Sequence, residues 1–209
     1  MQIISHRGYW KSPDEKNGEA AFGRSFSLGF GTETDLRDYN GEIVISHDIA
    51  GKNSMPLDDF FSIFNRYDGT PLLALNIKAD GLQQKLKTAL QRFGVKNYFV
   101  FDMSVPDTIG YMDAGIDFFS RQSEYEPQPA FYNECKGIWL DSFKDIWYTN
   151  DLILDHLGRG KQVAIVSPEL HKRNHLSLWQ QLKENTLFRS DKLILCTDIP
   201  EQAADFFKD

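Results

Sequence analysis

"PLLALNIKADGLQQKLKTALQRFG", Pro71 to Gly94, reads as a strand followed by a strongly amphipathic helix that stops at a glycine. One such unit says little by itself. What decides the fold is that the same alternation continues on both sides. Toward the N-terminus lie the strand "QIISHRG" and the helix "GEAAFGRSFSLG", with Ala21, Phe22, Phe26 and Leu28 at helical spacing, and then the helix "PLDDFFSIFNRY". Toward the C-terminus follow the strand "YFVFDMS", helix "VPDTIGYMDAG", strand "DFFSRQSEYE", strand "GIWLDSF" and helix "NDLILDHLGRG". Strand "QVAIVSPE", helix "LSLWQQLKENT", strand "LILCTD" and helix "IPEQAADFFK" complete the chain.

Strands that alternate with helices lie parallel, because each helix carries the chain back to the starting end of the sheet. About eight strands open such a unit, which in 209 residues predicts a compact (β/α)8 barrel of the TIM type near the small end of its size range. A doubly wound open sheet is the alternative, but no glycine-rich phosphate loop follows the first strand. The rhythm is interrupted once. "TETDLRDYNGEIVISHD", Thr32 to Asp48, reads as a strand, an Asn40-Gly41 turn and a return strand that ends in His47. The segment between this hairpin and the strand at Leu73 is short, leaving little or no capping insertion. "EYEPQPAFYNECKG", Glu124 to Gly137, reads as a loop over one barrel mouth, and without linker or repeat the whole of 1–209 is expected to form one domain.

Composition narrows the function. At 41% hydrophobic and 25% charged the chain is an ordinary folded one, and a net charge of -7 gives no electrostatic case for nucleic acid or an anionic membrane as partner. Cys135 and Cys196 have no zinc or redox spacing and read as free thiols. No apolar run has the length of a membrane span, and "MQIISHRGYW" lacks the apolar core of a signal peptide, so a cytoplasmic protein is expected.

Barrel enzymes carry their chemistry at the carboxyl ends of the strands. Here those ends hold Ser5-His6-Arg7-Gly8, Glu33 with Asp35, His47-Asp48, Asn76 with Lys78, Asp102, Arg121 with Glu124 and Glu126, Trp139 with Asp141, Ser167-Pro168-Glu169 and Thr197-Asp198. Two carboxylates two apart share one strand face and can hold a hard cation, to which Asn76 adds a neutral oxygen. Two histidines, His6 and His47, can move two protons near neutral pH. Arg7 and Lys78 can neutralise a phosphate. Arg121, Trp139 and Glu169 are candidates for the substrate pocket, and Tyr9, Trp10, Phe101, Tyr125 and Trp139 for stacking on an apolar or sugar moiety. His156, His171 and His175 read as surface residues, and Arg37 with Asp38 as a local surface ion pair.

At these residues the chain resembles the glycerophosphodiester phosphodiesterase family. The likeness lies in "SHRG", in "AAF" at Ala20 to Phe22, in "GTETDLRDYNGEIVISHD" and in the closing "LILCTDIPEQAADFF". The resemblance implies a TIM-type barrel, small phosphodiester substrates, a Mg2+ or Ca2+ ion on Glu33 and Asp35, His6 and His47 as the acid/base pair, and Arg7 on the phosphate. It also implies that a neighbouring substrate hydroxyl can attack to give a cyclic phosphate. Two positions depart from the family pattern: Asn76-Ile77-Lys78 stands where the family has Glu-x-Lys, and Lys16-Asn17-Gly18 where it has Glu-Asn-Thr. The alternatives to a hydrolase are a barrel that binds phosphorylated ligands without cleaving them, and a lyase that releases cyclic phosphate.

Overall fold

The computed structural model describes residues 1–208. Among them are ten strands and seven α-helices, and their backbone contacts divide the chain into two compact units.

The first unit runs from His6 to Phe118. It begins with the last residue of β1 (Gln2–His6) and holds α1 (Glu19–Ser27), β2 (Gly31–Tyr39), β3 (Glu42–Ile45), β4 (Met55–Pro56), α2 (Leu57–Asn65), β5 (Leu73–Ile77), α3 (Gln83–Phe93), β6 (Tyr98–Phe101) and α4 (Val105–Ala114). β2, β5 and β6 pair in parallel, with Asp35 in register with Asn76 and Asn76 with Phe101. β3 folds back on β2 antiparallel through Asn40 and Gly41, whose φ values of 49° and 80° are those of the tight hairpin turn expected from Asn-Gly. α3 ends at Gly94 with φ 67°, a left-handed cap that glycine takes without a Cβ penalty.

The apolar faces of α1 and α2 meet in an aromatic cluster. Phe22 and Phe60 lie edge to face at 4.6 Å, and Phe26 and Phe64 at 5.2 Å, with all four rings buried. Removing one such ring typically costs about 3–5 kcal/mol. At Gly8, with φ 79°, a Cβ would lie 2.7 Å from Ala21 Cβ. The Gly8 N–H donates to Thr32 Oγ1 (2.9 Å) and the Tyr9 N–H to Ala21 O (2.9 Å), so the turn after β1 is pressed onto α1. This contact is why a glycine and a small residue occur together in "SHRG" and "AAF".

The second unit comprises Met1–Ser5 and the chain from Phe119 onward. It holds β7 (Phe119–Gln122), β8 (Gly137–Leu140), α5 (Asn150–Gly158), β9 (Gln162–Val166), α6 (Leu176–Glu184), β10 (Leu193–Thr197) and α7 (Pro200–Phe206), with short 3-10 turns at Pro168–His171 and Leu187–Arg189. The strand residues Gln2 to Ser5 pair with β10, and β10, β9, β8 and β7 follow side by side, all parallel. Their apolar residues are nearly all buried, as expected of strands covered on both faces. Trp179 of α6 packs against Phe206 and Phe207, and its indole N–H donates to Ser167 Oγ (2.9 Å).

Four expectations are corrected. β3 stops at Ile45, so His47 and Asp48 lie in the following loop rather than on a strand. There Ser46 Oγ donates to Asp48 O (3.0 Å), and the Arg37 guanidinium donates to His47 O (3.2 Å). Arg37 therefore holds this loop and does not pair with Asp38, since consecutive strand residues point to opposite faces. β7 is also shorter than the sequence pattern, because Ser123 and Glu126 exchange backbone hydrogen bonds and turn the chain before Pro127. Finally, His156 is buried, with Tyr132 Oη at 2.9 Å from one ring nitrogen and Gln122 Oε1 at 2.8 Å from the other.

Candidate active site

β2 buries four polar residues in succession, Thr32, Glu33, Thr34 and Asp35. Each needs a partner, since an unpaired buried polar group costs about 1–3 kcal/mol. Arg7 provides several. Its backbone is left-handed (φ 58°), a conformation that costs a non-glycine residue on the order of 1 kcal/mol. In return its N–H reaches both Glu33 O (2.9 Å) and Glu33 Oε2 (3.2 Å). The guanidinium Nε comes to 3.2 Å from Asp35 Oδ2, close enough for an ion pair but off the hydrogen-bonding direction. Lys78, just past β5, places Nζ 3.5 Å from Asp35 Oδ1. Asp35 thus sits between two cations, each about one-fifth exposed, while its own side chain is closed to solvent.

Asn17 completes this arrangement and was not singled out by its sequence. Its Nδ2 donates to Asp35 Oδ2 (2.9 Å), its Oδ1 accepts from Thr34 Oγ1 (2.9 Å), and its backbone N–H donates to Arg7 O (2.9 Å). The available signal was its match to the asparagine of the family's Glu-Asn-Thr.

Glu33 has a perturbed acidity. Burial and then the charge of Asp35 push its pKa well above the usual carboxylate range, and Arg7, Lys78 and the Asn76 amide offset this only in part. Beside it, Asn76 Oδ1 is buried without a hydrogen-bond partner, and Asp35 Oδ1 has only the Lys78 contact. Unpaired buried oxygens next to a carboxyl kept from ionising are what a hard cation with oxygen ligands would satisfy. The donor set therefore fits a divalent ion held by Glu33, Asp35 and Asn76. Among the described residues no group of three His, Cys, Asp or Glu side chains is placed to hold a metal, so a third ligand beside Glu33 and Asp35 would have to be a neutral oxygen such as that of Asn76. Three acids at strand ends of the second unit have partners of their own: Glu124 accepts the N–H groups of Phe143 and Lys144, Asp141 binds His171, and Glu169 accepts from Ser167, Thr197 and Asp198.

His6 ends β1, next to the Arg7 turn that grips Glu33. The ring of His47 is 42% exposed, with Nδ1 2.8 Å from Asp48 Oδ1. Hydrogen bonding to His47, and then its charge, hold the Asp48 carboxyl below its ordinary pKa, with smaller contributions from Arg7 and Arg37. Among the described residues, no hydrogen bond or ion pair joins His47 to Glu33, Asp35, Asn76 or Lys78.

The remaining candidates lie in the second unit. Arg121 on β7 has Nε 3.6 Å from Glu126 Oε2 and stands in register with Trp139 on β8. Glu169 bridges the end of β9 to the end of β10 through Ser167 and Thr197, both at 2.5 Å. Of the stacking candidates, Tyr9, Phe101 and Trp139 are buried, Trp10 carries Lys16 over its ring at 4.3 Å, and Tyr125 is 60% exposed.

No protein-family model and no curated sequence matches the chain. Solved structures do resemble it. A glycerophosphodiester phosphodiesterase from Agrobacterium tumefaciens superposes with a TM-score of 0.73 at 14% identity, covering 98% of this chain and 99% of that one. One from Parabacteroides distasonis gives 0.72 at 15%, covering 98% and 95%. A phosphodiesterase from Oleispira antarctica, solved with the product sn-glycerol-3-phosphate, gives 0.69 at 16%, covering 100% and 97%. The mixed α/β order of elements agrees with the (β/α)8 type expected from the sequence, and the likeness over nearly the full length shows that the chain has the fold of the glycerophosphodiester phosphodiesterases.

Proposed function

We propose that the chain is a divalent-cation-dependent phosphodiesterase acting on a small glycerophosphodiester-like or sugar phosphodiester. The observation that carries this reading is the buried Glu33–Asp35 pair, set between Arg7 and Lys78 and beside the unpaired Asn76 Oδ1. A Mg2+ or Ca2+ ion on these oxygens would supply positive charge at the phosphoryl group. Arg7 and Lys78 have room to turn part of their charge toward a phosphate, because each is partly exposed and neither is saturated by Asp35. His6 and His47 share the proton transfers. One takes the proton of the attacking water or of a neighbouring substrate hydroxyl, and the other gives a proton to the departing alcohol oxygen. Asp48 fixes His47 through Nδ1, which leaves Nε2 for that exchange. Attack by a substrate hydroxyl would yield a cyclic phosphate, and attack by water the monoester.

The test is turnover of sn-glycero-3-phosphocholine and bis(p-nitrophenyl) phosphate with Mg2+ or Ca2+ and after chelation, followed by 31P NMR of the products. His6→Ala and His47→Ala should each lower kcat by about 10²–10⁴-fold with an unchanged thermal midpoint. Wild-type turnover that survives either replacement would sink the mechanism. Calorimetric binding of the ion without turnover of either ester would instead support a binding barrel.

A further inference from the structure

An exposed aromatic ring on a loop is usually mobile, but Phe143 is not free to move. Its ring is 36% exposed, yet the backbone around it is fixed on every side. Glu124 uses both carboxylate oxygens on consecutive amides, Phe143 N–H at 3.1 Å and Lys144 N–H at 2.7 Å. Arg173 donates to Ser142 O and to Ser142 Oγ, and the Trp147 indole N–H donates to Asp141 O (2.8 Å). These bonds hold in place a ring that is packed on part of its surface and keeps 36% of it open to solvent, the arrangement of a preorganised contact surface.

What surrounds the ring suggests what it meets. Tyr125 lies 6.0 Å away on one side, the His171 ring 5.2 Å away on another, and the Arg121 guanidinium 5.7 Å from the ring centre. His171 is itself held in place. Its Nε2 is 2.8 Å from the buried Asp141 Oδ1, which also accepts the Ser142 N–H (2.7 Å), and its 3-10 turn is anchored by Glu169. In the neutral ring a carboxylate on Nε2 fixes the proton there and makes Nδ1 an acceptor, and among the described residues nothing hydrogen-bonds Nδ1. The rim of the aromatic shelf therefore offers an acceptor in His171 and a donor in Arg121. A phosphate only accepts and would have no use for the first. A hydroxyl gives and takes, and a ring of hydroxyl-bearing carbons also presents C–H groups to an aromatic face.

We propose that Phe143, Tyr125, His171 and Arg121 form a binding platform for a polyhydroxylated ring, a sugar or cyclitol, with Asp141 as the residue that positions His171. The platform lies within the second unit and stands or falls independently of the chemistry assigned to Glu33 and Asp35.

The experiment is saturation-transfer-difference NMR on the full chain with methyl α-D-glucopyranoside, methyl α-D-galactopyranoside, N-acetylglucosamine, myo-inositol and ribose. Transfer is expected to the ring protons of at least one of them. It should vanish in Phe143→Ala, fall severalfold in His171→Phe, which keeps a ring but loses the acceptor, and persist in Asp35→Asn, which alters the other site. Circular dichroism and thermal midpoint of each variant establish that it is folded, and Phe143→Leu serves where Phe143→Ala does not fold. No transfer to any of the five, or transfer undiminished by loss of the Phe143 ring, would overturn the proposal. So would transfer abolished by inorganic phosphate alone and unaffected by His171→Phe, which would mark an anion site.

Discussion

Asn17 binds Asp35 and Thr34 at once, with its amide nitrogen 2.9 Å from Asp35 Oδ2 and its amide oxygen 2.9 Å from Thr34 Oγ1. One side chain from outside the sheet thus fixes the rotamer of a carboxylate on it. Asn17 itself is left-handed (φ 57°), a conformation that asparagine tolerates better than most residues.

Asn17→Ala should therefore release Asp35 without removing any proposed ligand. Residues that orient ligands typically change metal affinity by about 10–100-fold. Calorimetric titration of Mg2+ into the chelator-treated variant is expected to show a fall at the low end of that range. Unchanged affinity would mean that Arg7 and Lys78 suffice to hold the carboxylate.

Asn76→Glu tests whether two carboxylates are enough. It places a third acid in register with Asp35, next to the buried Glu33. Affinity for Mg2+ or Ca2+ should rise by roughly tenfold or more, as ligand charge increases. The ion-free variant should be less stable than the parent near neutral pH, because a third buried acid adds repulsion. A calorimetric titration paired with thermal melts in EDTA measures both.

The raised pKa of Glu33 fixes the sign of a pH effect. A folded-state pKa above the unfolded one means that the folded protein holds a proton that the unfolded chain has lost, so stability is full below the ordinary glutamate pKa and declines as pH rises toward the folded value. The slope cannot exceed about 1.4 kcal/mol per pH unit for one proton. Melts in EDTA from pH 5 to 8 should show this decline for the parent, and a smaller one for Glu33→Gln. Excess Mg2+ should flatten it too. Identical slopes for parent and variant would exclude Glu33 as its source.

Gly8→Ala should destabilise the chain by about 2–4 kcal/mol, through a strained positive φ and a clash with Ala21. Chemical denaturation measures it. Because Ala21 supplies the nearest atom, Ala21→Gly in the same chain should recover part of the crowding loss and none of the φ strain.

Much of this was legible in the chain, and the physical reason differs from part to part. α3 shows in its spacing because a helix repeats every 3.6 residues and a single buried face imposes that period, and β5 shows as a short, nearly continuous apolar run because all of its residues are buried. Glu33 and Asp35 were visible because acids in an otherwise buried strand need a cause. The Asp141–His171 pair was not visible: its members are 30 apart, and no periodicity ties a β8 end to a 3-10 turn after β9. His156 misled for a related reason, since α5 is only mildly amphipathic and the partners that make its burial tolerable, Tyr132 and Gln122, come from distant sequence. The loss of strand geometry at His47 was hidden as well, because the Arg37 side chain that bends the loop arrives from the facing strand.

The amide at position 76 has a consequence for the end of a catalytic cycle. Once a bound ion drives the proton off Glu33, the charges of Glu33 and Asp35 are matched by those of Arg7 and Lys78, so a divalent ion would bring its full charge to the site with no third acid to temper it. A phosphodiester carries one negative charge, whereas the monoester left by hydrolysis carries close to two at neutral pH. Such a site attracts what it makes more strongly than what it consumes. If the chain is the hydrolase proposed, release of the monoester, and not scission of the P–O bond, is the step expected to set its pace.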